Sequence, residues 1–181
     1  MTIPLILTPS FLSPRVLFSL ATVACTALIL TALYMQYVLE LEPCALCITQ
    51  RIFIIAVGFV SLVAAIQNPG RLGIRLYSGI CLLLAIIGGG FSARHVWLQN
   101  LPEDLAPACG PNLSYLVENF PLWEALSVLL QGDGNCADTL WTFLGLSIPG
   151  WTLIAFVALG LYFLWLIVKT TFRCRIRPRV C

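Results

Sequence analysis

Charged side chains are scarce in this sequence. Asp, Glu, Lys and Arg make up 10% of its 181 residues, against 60% hydrophobic, and the mean hydropathy is +0.96. A soluble domain of this length cannot hide that much apolar surface, so lipid must be the solvent for much of it. The net charge of +2 says little by itself, and no nucleic-acid partner is expected from it. No Lys or Arg precedes Arg15, and Pro4 and Pro9 interrupt that segment, which makes a poor signal-peptide n-region. The uncharged stretch after Arg15 runs to Glu40, longer than a signal h-region, so a retained first span is expected, with cleavage the alternative. Internal repeats and low-complexity linkers are missing. So are a Gly-x-Gly-x-x-Gly loop, a haem motif and iron–sulfur spacing, which removes the usual protein-bound electron acceptors.

Long apolar runs, by contrast, are plentiful. A helix crossing the hydrocarbon core needs about 20 apolar residues. Four runs come close, at about residues 16–34, 48–66, 76–92 and 149–168. In lipid each must be helical to satisfy its own backbone. The breaker Asn68-Pro69-Gly70 ends the second run, and Pro149 is placed to open the fourth, where its missing N–H costs nothing. The expected fold is an all-α membrane protein, one membrane domain over residues 1–181. It is a four-transmembrane-helix up-down bundle with two outer loops, at about residues 36–47 and 95–148.

The basic residues orient this bundle. Arg15 precedes the first span, Arg71 and Arg75 follow the second, and Lys169, Arg173, Arg175, Arg177 and Arg179 follow the fourth. All fall on one side, which is therefore cytoplasmic along with both termini. The opposite loops carry Glu40, Glu42, Glu103, Asp104, Glu118, Glu124, Asp133 and Asp138. In the longer one, Leu113, Leu116, Phe120, Trp123 and Leu130 recur near helical spacing with Pro121 between them. That pattern predicts two short helices at the headgroup level. Gly-, Pro- and Asp-rich flanks put Cys109 and Cys136 on exposed turns.

Of eight cysteines, Cys44, Cys47, Cys109 and Cys136 fall on the outer side, where disulfides persist. Cys25 and Cys81 lie inside spans as small apolar fillers, and Cys174 and Cys181 lie in the basic inner tail. Three readings of the outer set compete. A static disulfide framework would gain about 3–4 kcal/mol from a Cys109–Cys136 bridge closing a long loop, but little from the short Cys44–Cys47 ring. A four-cysteine zinc site fits one Cys-x-x-Cys knuckle, but Cys109 and Cys136 lack the second short spacing, so no resident metal is expected. Thiol–disulfide exchange fits best. Arg51 lies four residues after Cys47, one helical turn away on the same face, where a guanidinium favours the thiolate. The alternative for Arg51 is a side chain snorkelling at a helix end, although it stands against the charge bias of its side. Arg94 and the single histidine, His95, end the third run at the same level. His95 is either a solvated side chain or part of a shared polar pocket with Arg51. A relay of two cysteine pairs needs a terminal acceptor, and a lipid-soluble quinone between spans would serve.

At these residues the chain resembles the disulfide bond formation protein B (DsbB) family, quinone-linked membrane thiol oxidases of bacteria. Four blocks carry the likeness, between about Arg15 and Val168: the Cys44-Ala45-Leu46-Cys47 pair with Arg51, Ala93 to Gln99, Cys109-Gly110-Pro111 with Glu118 to Pro121, and Gly134 to Ala137 leading into Trp141 to Gly145 and Pro149-Gly150-Trp151. The resemblance implies the reoxidation of a periplasmic thioredoxin-fold protein of the DsbA type, with electrons passing to ubiquinone or menaquinone. It makes Cys44, Cys47, Cys109 and Cys136 the catalytic residues. Cys109 would take the mixed disulfide with the partner, Cys44 would exchange with the outer loop, and Cys47 would face the quinone. Arg51 would stabilise negative charge there, with His95 assisting. It also implies a multi-pass protein of the bacterial inner membrane with its redox loops in the periplasm. A vitamin-K-epoxide-reductase-like enzyme is disfavoured, because its membrane-edge pair follows the loop cysteines and here it precedes them. The remaining alternative is a non-catalytic membrane scaffold with structural disulfides.

Overall fold

The structure, a computed structural model, describes residues 13–41, 43–101 and 142–176, with side chains described as far as Phe172. Helix α1 spans Pro14–Tyr37, α2 Ala45–Gln67, α3 Arg71–Gln99 and α4 Ile148–Ile176. Sequence signals set their ends. The Ser13 hydroxyl caps α1 by accepting from the Val16 N–H at 3.5 Å, and Pro14 stands at the first helical position. Asn68 closes α2 in the left-handed region, φ 44°, with its N–H on the Ala64 carbonyl. Gly70 then starts α3. The Asn-Pro-Gly breaker thus becomes a three-residue turn between two antiparallel helices.

All four helices are long and apolar enough to cross a membrane, with mean hydropathy between 1.8 and 2.3 over their most apolar windows. Only 22–28% of each window is buried within the protein. Large apolar side chains such as Val23, Phe59, Leu83 and Leu161 point outward, which lipid tolerates and water does not. The protein is a four-helix membrane bundle in which α1 packs on α2, α2 on α3 and α3 on α4.

Aromatic side chains fill the core. Phe18, Phe156, Phe163 and Leu166 are buried, and the Phe18 and Phe163 rings stack with centroids 6.5 Å apart. Gly88 makes room for them, since a Cβ there would overlap the Phe156 ring and stand 3.0 Å from the Phe53 Cβ. Cys25 and Cys81 are buried in this core, with Cys81 Sγ 3.7 Å from the Ser61 hydroxyl. At the end holding Arg15 and the 68–70 turn, two polar ties cross between helices. The Tyr162 hydroxyl donates to the Leu17 carbonyl at 2.8 Å, and Arg75 donates to the Thr170 carbonyl at 3.2 Å.

The opposite end differs from the sequence reading in three ways. Helix α3 continues past residue 92 to Gln99, so residues 95–99, expected in the outer loop, are helical. Leaving the apolar run does not stop a helix. Nothing from Ser92 to Gln99 is Gly or Pro, and Leu98 gains burial against Leu46. Helix α2 begins at Ala45, so Cys47 lies in its first turn rather than in a loop. A short hairpin precedes α4: β1 (Thr142–Phe143) pairs antiparallel with β2 (Leu146–Ser147). Leu144 and Gly145 both take positive φ, 53° and 78°, as a two-residue hairpin turn of the primed type requires. The expected interfacial helices fall within 102–141, outside the described residues.

Candidate functional site

Cys44 is the N-cap of α2, with extended backbone (φ −69°, ψ 169°), and its sulfur accepts from the Cys47 N–H at 3.4 Å. The spacing of three residues across a helix start therefore turns both sulfurs to the same end of the helix. They stand 3.3 Å apart, and no disulfide joins them. A disulfide between them needs about 2.05 Å. The positive end of the α2 dipole points at the pair, where it favours negative charge on sulfur.

His95 comes to this pair from α3. It is 2% exposed, and its imidazole touches both sulfurs: Nε2 lies 3.7 Å from Cys44 Sγ and Nδ1 3.9 Å from Cys47 Sγ. It is thus buried between the helices, not solvated at a loop start. Gln50, one turn after Cys47 and equally buried, places its amide nitrogen 3.3 Å from Nδ1. With that amide donating, Nδ1 accepts, and the ring proton sits on Nε2, facing Cys44. Cys44 Sγ, Cys47 Sγ and a ring nitrogen of His95 all fall within 4.8 Å of one another.

Arg51 follows Gln50 and reaches across to α1. Its guanidinium donates to the Gln36 side-chain oxygen and, at 3.2 Å, to the Ala32 carbonyl. The charge is therefore anchored between two helices rather than left loose at a helix end. Arg94 turns elsewhere and stacks its guanidinium over the Trp97 ring, 4.2 Å from the centroid.

Cys44, Cys47, Gln50, Arg51 and His95 share the wall of one cavity of about 480 Å³. Its remaining wall is mostly apolar: Leu28, Ala32 and Met35 from α1, Ile54 from α2, and Trp151, Ala155 and Ala158 from α4. Phe143 of the hairpin also lines it, and the Trp151 indole N–H donates to the Phe143 carbonyl at 3.1 Å. A second cavity of about 490 Å³ continues between α1 and α4, sharing Leu28, Thr31, Ala155 and Ala158 with the first. A pocket of this size, apolar with a few convergent polar groups, suits a small organic ligand.

Of the residues singled out from the sequence, Cys44, Cys47, Arg51 and His95 come together here. Cys109 and Cys136 lie outside the described residues, as do Cys181 and the side chain of Cys174. Gln50 was missed. Nothing in the sequence marks its amide as facing the neighbouring helix.

Comparison with known proteins places the chain in a family. Residues 14–166 match the family described as disulfide bond formation protein DsbB. The chain is 62% identical over 141 residues to disulfide bond formation protein B of Saccharophagus degradans, covering 78% of this chain and 85% of that one. It is 48% identical over 159 residues to the protein of the same name from Nitrosococcus oceani, covering 88% and 94%. Disulfide bond formation protein B 1 of Pseudomonas aeruginosa is 49% identical over 146 residues, covering 81% and 90%.

Proposed function

Because the chain belongs to the DsbB family of disulfide bond formation proteins, we propose that this membrane oxidoreductase is a quinone-dependent thiol oxidase. It reoxidises a periplasmic dithiol partner of the DsbA type and passes the electrons to ubiquinone or menaquinone. In that family's general chemistry the bacterial periplasm is kept oxidising kinetically, through DsbA, DsbB and quinone. The observation that carries the reading is one cavity at one end of the bundle. A Cys-x-x-Cys pair, an imidazole and a guanidinium open onto the same apolar wall.

The residues divide the work. A thiolate of the reduced partner attacks Cys109 in a Cys109–Cys136 disulfide, and Cys136 leaves as a thiolate. The second partner thiolate then releases the oxidised partner and leaves the loop pair reduced. A loop thiolate attacks Cys44 in the Cys44–Cys47 disulfide, and Cys47 leaves as a thiolate beside the cavity. Loss of the resulting mixed disulfide to the second loop thiol restores Cys109–Cys136 and leaves Cys44–Cys47 as the reduced pair. His95 faces both sulfurs and holds a proton at Nε2 for Cys44. Arg51 holds a fixed positive charge in the cavity wall, anchored by Gln36 and the Ala32 carbonyl. Bound quinone supplies a two-electron acceptor reachable from the bilayer. Apolar α1 and α4 side chains line the rest of the cavity. Orientation follows the basic residues: both termini are cytoplasmic and the cysteine loops periplasmic, in the bacterial inner membrane.

Anaerobic titration of the purified protein with reduced partner, followed by quinone absorbance, tests this reading. Loss of the oxidised-quinone band in step with partner oxidation supports it. Partner oxidation with an unchanged quinone band would contradict it.

A further inference from the structure

We infer that the reduced Cys44–Cys47 pair and His95 form a redox-gated site for a thiophilic divalent cation, Zn²⁺, which holds the dithiol closed to oxidation. The inference rests on the dithiol geometry and is independent of the quinone reading.

Zn–S bonds of about 2.3 Å and Zn–N bonds of about 2.0–2.1 Å at tetrahedral angles separate two sulfurs by about 3.8 Å and sulfur from nitrogen by about 3.6 Å. The sulfurs here are 3.3 Å apart and Cys44 Sγ is 3.7 Å from Nε2, each within about 0.5 Å of those values. A ring nitrogen of His95 and the two sulfurs lie within 4.8 Å of one another; Cys47 Sγ stands 3.9 Å from Nδ1, so binding at Nε2 requires the Cys47 side chain and the imidazole to rotate toward each other. Metallation at Nε2 moves the ring proton to Nδ1, which then needs an acceptor. Gln50 supplies one: its amide already stands 3.3 Å from Nδ1, and turning it over presents the oxygen. That is the partner a metal-bound imidazole uses to fix its tautomer. The fourth position opens into the cavity and is free for water.

Charge also favours the site. Two thiolates, a neutral imidazole and a divalent cation sum to zero, which suits a half-buried position at the membrane edge. Arg51 lines the same cavity and opposes a cation, but its guanidinium is turned to Gln36 and the Ala32 carbonyl on α1. Binding exchanges two thiol protons for the metal: Zn²⁺ enters, two H⁺ leave and no electron moves. A Cys44–Cys47 disulfide offers no thiolate, so the oxidised form does not bind. The sequence alone pointed away from zinc because it sought all four ligands among cysteines. The third comes from α3, and the set is Cys₂His.

The test uses the full chain in detergent carrying Cys109→Ser and Cys136→Ser, so that loop thiols do not compete. The reduced and oxidised forms are each titrated anaerobically with Co²⁺ as a spectroscopic probe and then with Zn²⁺. The site predicts one equivalent of Co²⁺ with thiolate-to-cobalt charge-transfer bands in the reduced form, displaced by Zn²⁺ and missing from the oxidised form. Cys174→Ser and Cys181→Ser in the same chain remove the tail thiols, which would otherwise also change with redox state, and the site itself needs no substitution. Because the chain has a single histidine, ¹⁵N-histidine labelling reports one imidazole, and Zn²⁺ must shift its Nε2 resonance. Gln50→Leu should weaken Zn²⁺ binding about 10–100-fold. Equal Co²⁺ binding by the two redox forms, or an unmoved imidazole resonance in the Zn²⁺-loaded reduced form, would overturn the inference. Either result would leave the thiol-oxidase reading standing.

Discussion

Cys44 and Cys47 owe their proximity to a helix start, and that start is written in eight consecutive residues. Cys44, Cys47 and Arg51 follow one another at spacings of three and four, so one local helix puts them on one face. This much of the site was legible in the sequence. His95 was only half legible: its depth in the membrane could be read from the third apolar run, but its contact with both sulfurs is a packing event between residues 48 and 51 positions apart. Gln50 was not legible at all, because an amide facing a neighbouring helix looks in sequence like an amide facing a headgroup. Two substitutions test the residue assignments. Cys44→Ser and Cys47→Ser should each reduce quinone turnover with reduced partner to background while leaving membrane insertion intact; full turnover in both would sink the assigned exchange. Losing a charge-assisted hydrogen-bond donor costs about 1.5–3 kcal/mol, so Arg51→Gln should raise the KM for quinone roughly 10–100-fold. The KM for the thiol partner, measured in the same assay, should stay within about twofold. An unchanged quinone KM would leave Arg51 as a tie between α1 and α2 only.

The four helices were readable as elements because hydropathy alone demands them: each carries a mean hydropathy of at least 1.8 over a span-length window. Their ends were harder. Hydropathy falls where a chain leaves lipid, but α3 runs on to Gln99 because Leu98 packs on Leu46 beyond that point. The 142–147 hairpin escaped notice for a different reason. Its turn, Leu144-Gly145, places Leu at φ 53°, which few sequences signal. Helix packing gives its own prediction. Overpacking a core costs about 1–3 kcal/mol, so Gly88→Ala should lower the thermal midpoint in detergent by pushing Phe156 off α3. Gly90 has nothing within 4 Å of where a Cβ would stand, so Gly90→Ala should be neutral or gain up to about 1 kcal/mol of helix propensity. Equal loss at both positions would mean that Phe156 does not fill the space at Gly88.

For the whole molecule, the bundle sorts its polar groups by end. Arg15, Arg71, Arg75 and Lys169 gather at one end, and the cysteine pair, His95 and the hairpin at the other. That asymmetry was legible from charge counting alone, and the DsbB family from four motif blocks. The exchange proposed between Cys109, Cys136 and Cys44 was not, since no motif in the sequence specifies which pair meets which. The orientation can be checked with alkaline phosphatase, which folds only in an oxidising compartment. Fused within residues 102–141 it should be active, and fused in the 68–70 turn it should be silent. The reverse pattern would put the cysteine pair on the reducing side, where it could not be kept as a disulfide.

On the proposed mechanism, electrons from a partner dithiol reach quinone through Cys47. Mixing reduced partner with quinone-loaded protein under anaerobic conditions and following quinone absorbance, in the native chain and in Cys47→Ser, checks that step. One quinone should be reduced per partner dithiol oxidised in the native chain, and none in Cys47→Ser. Quinone reduction at the native rate in Cys47→Ser would rule out passage through Cys47.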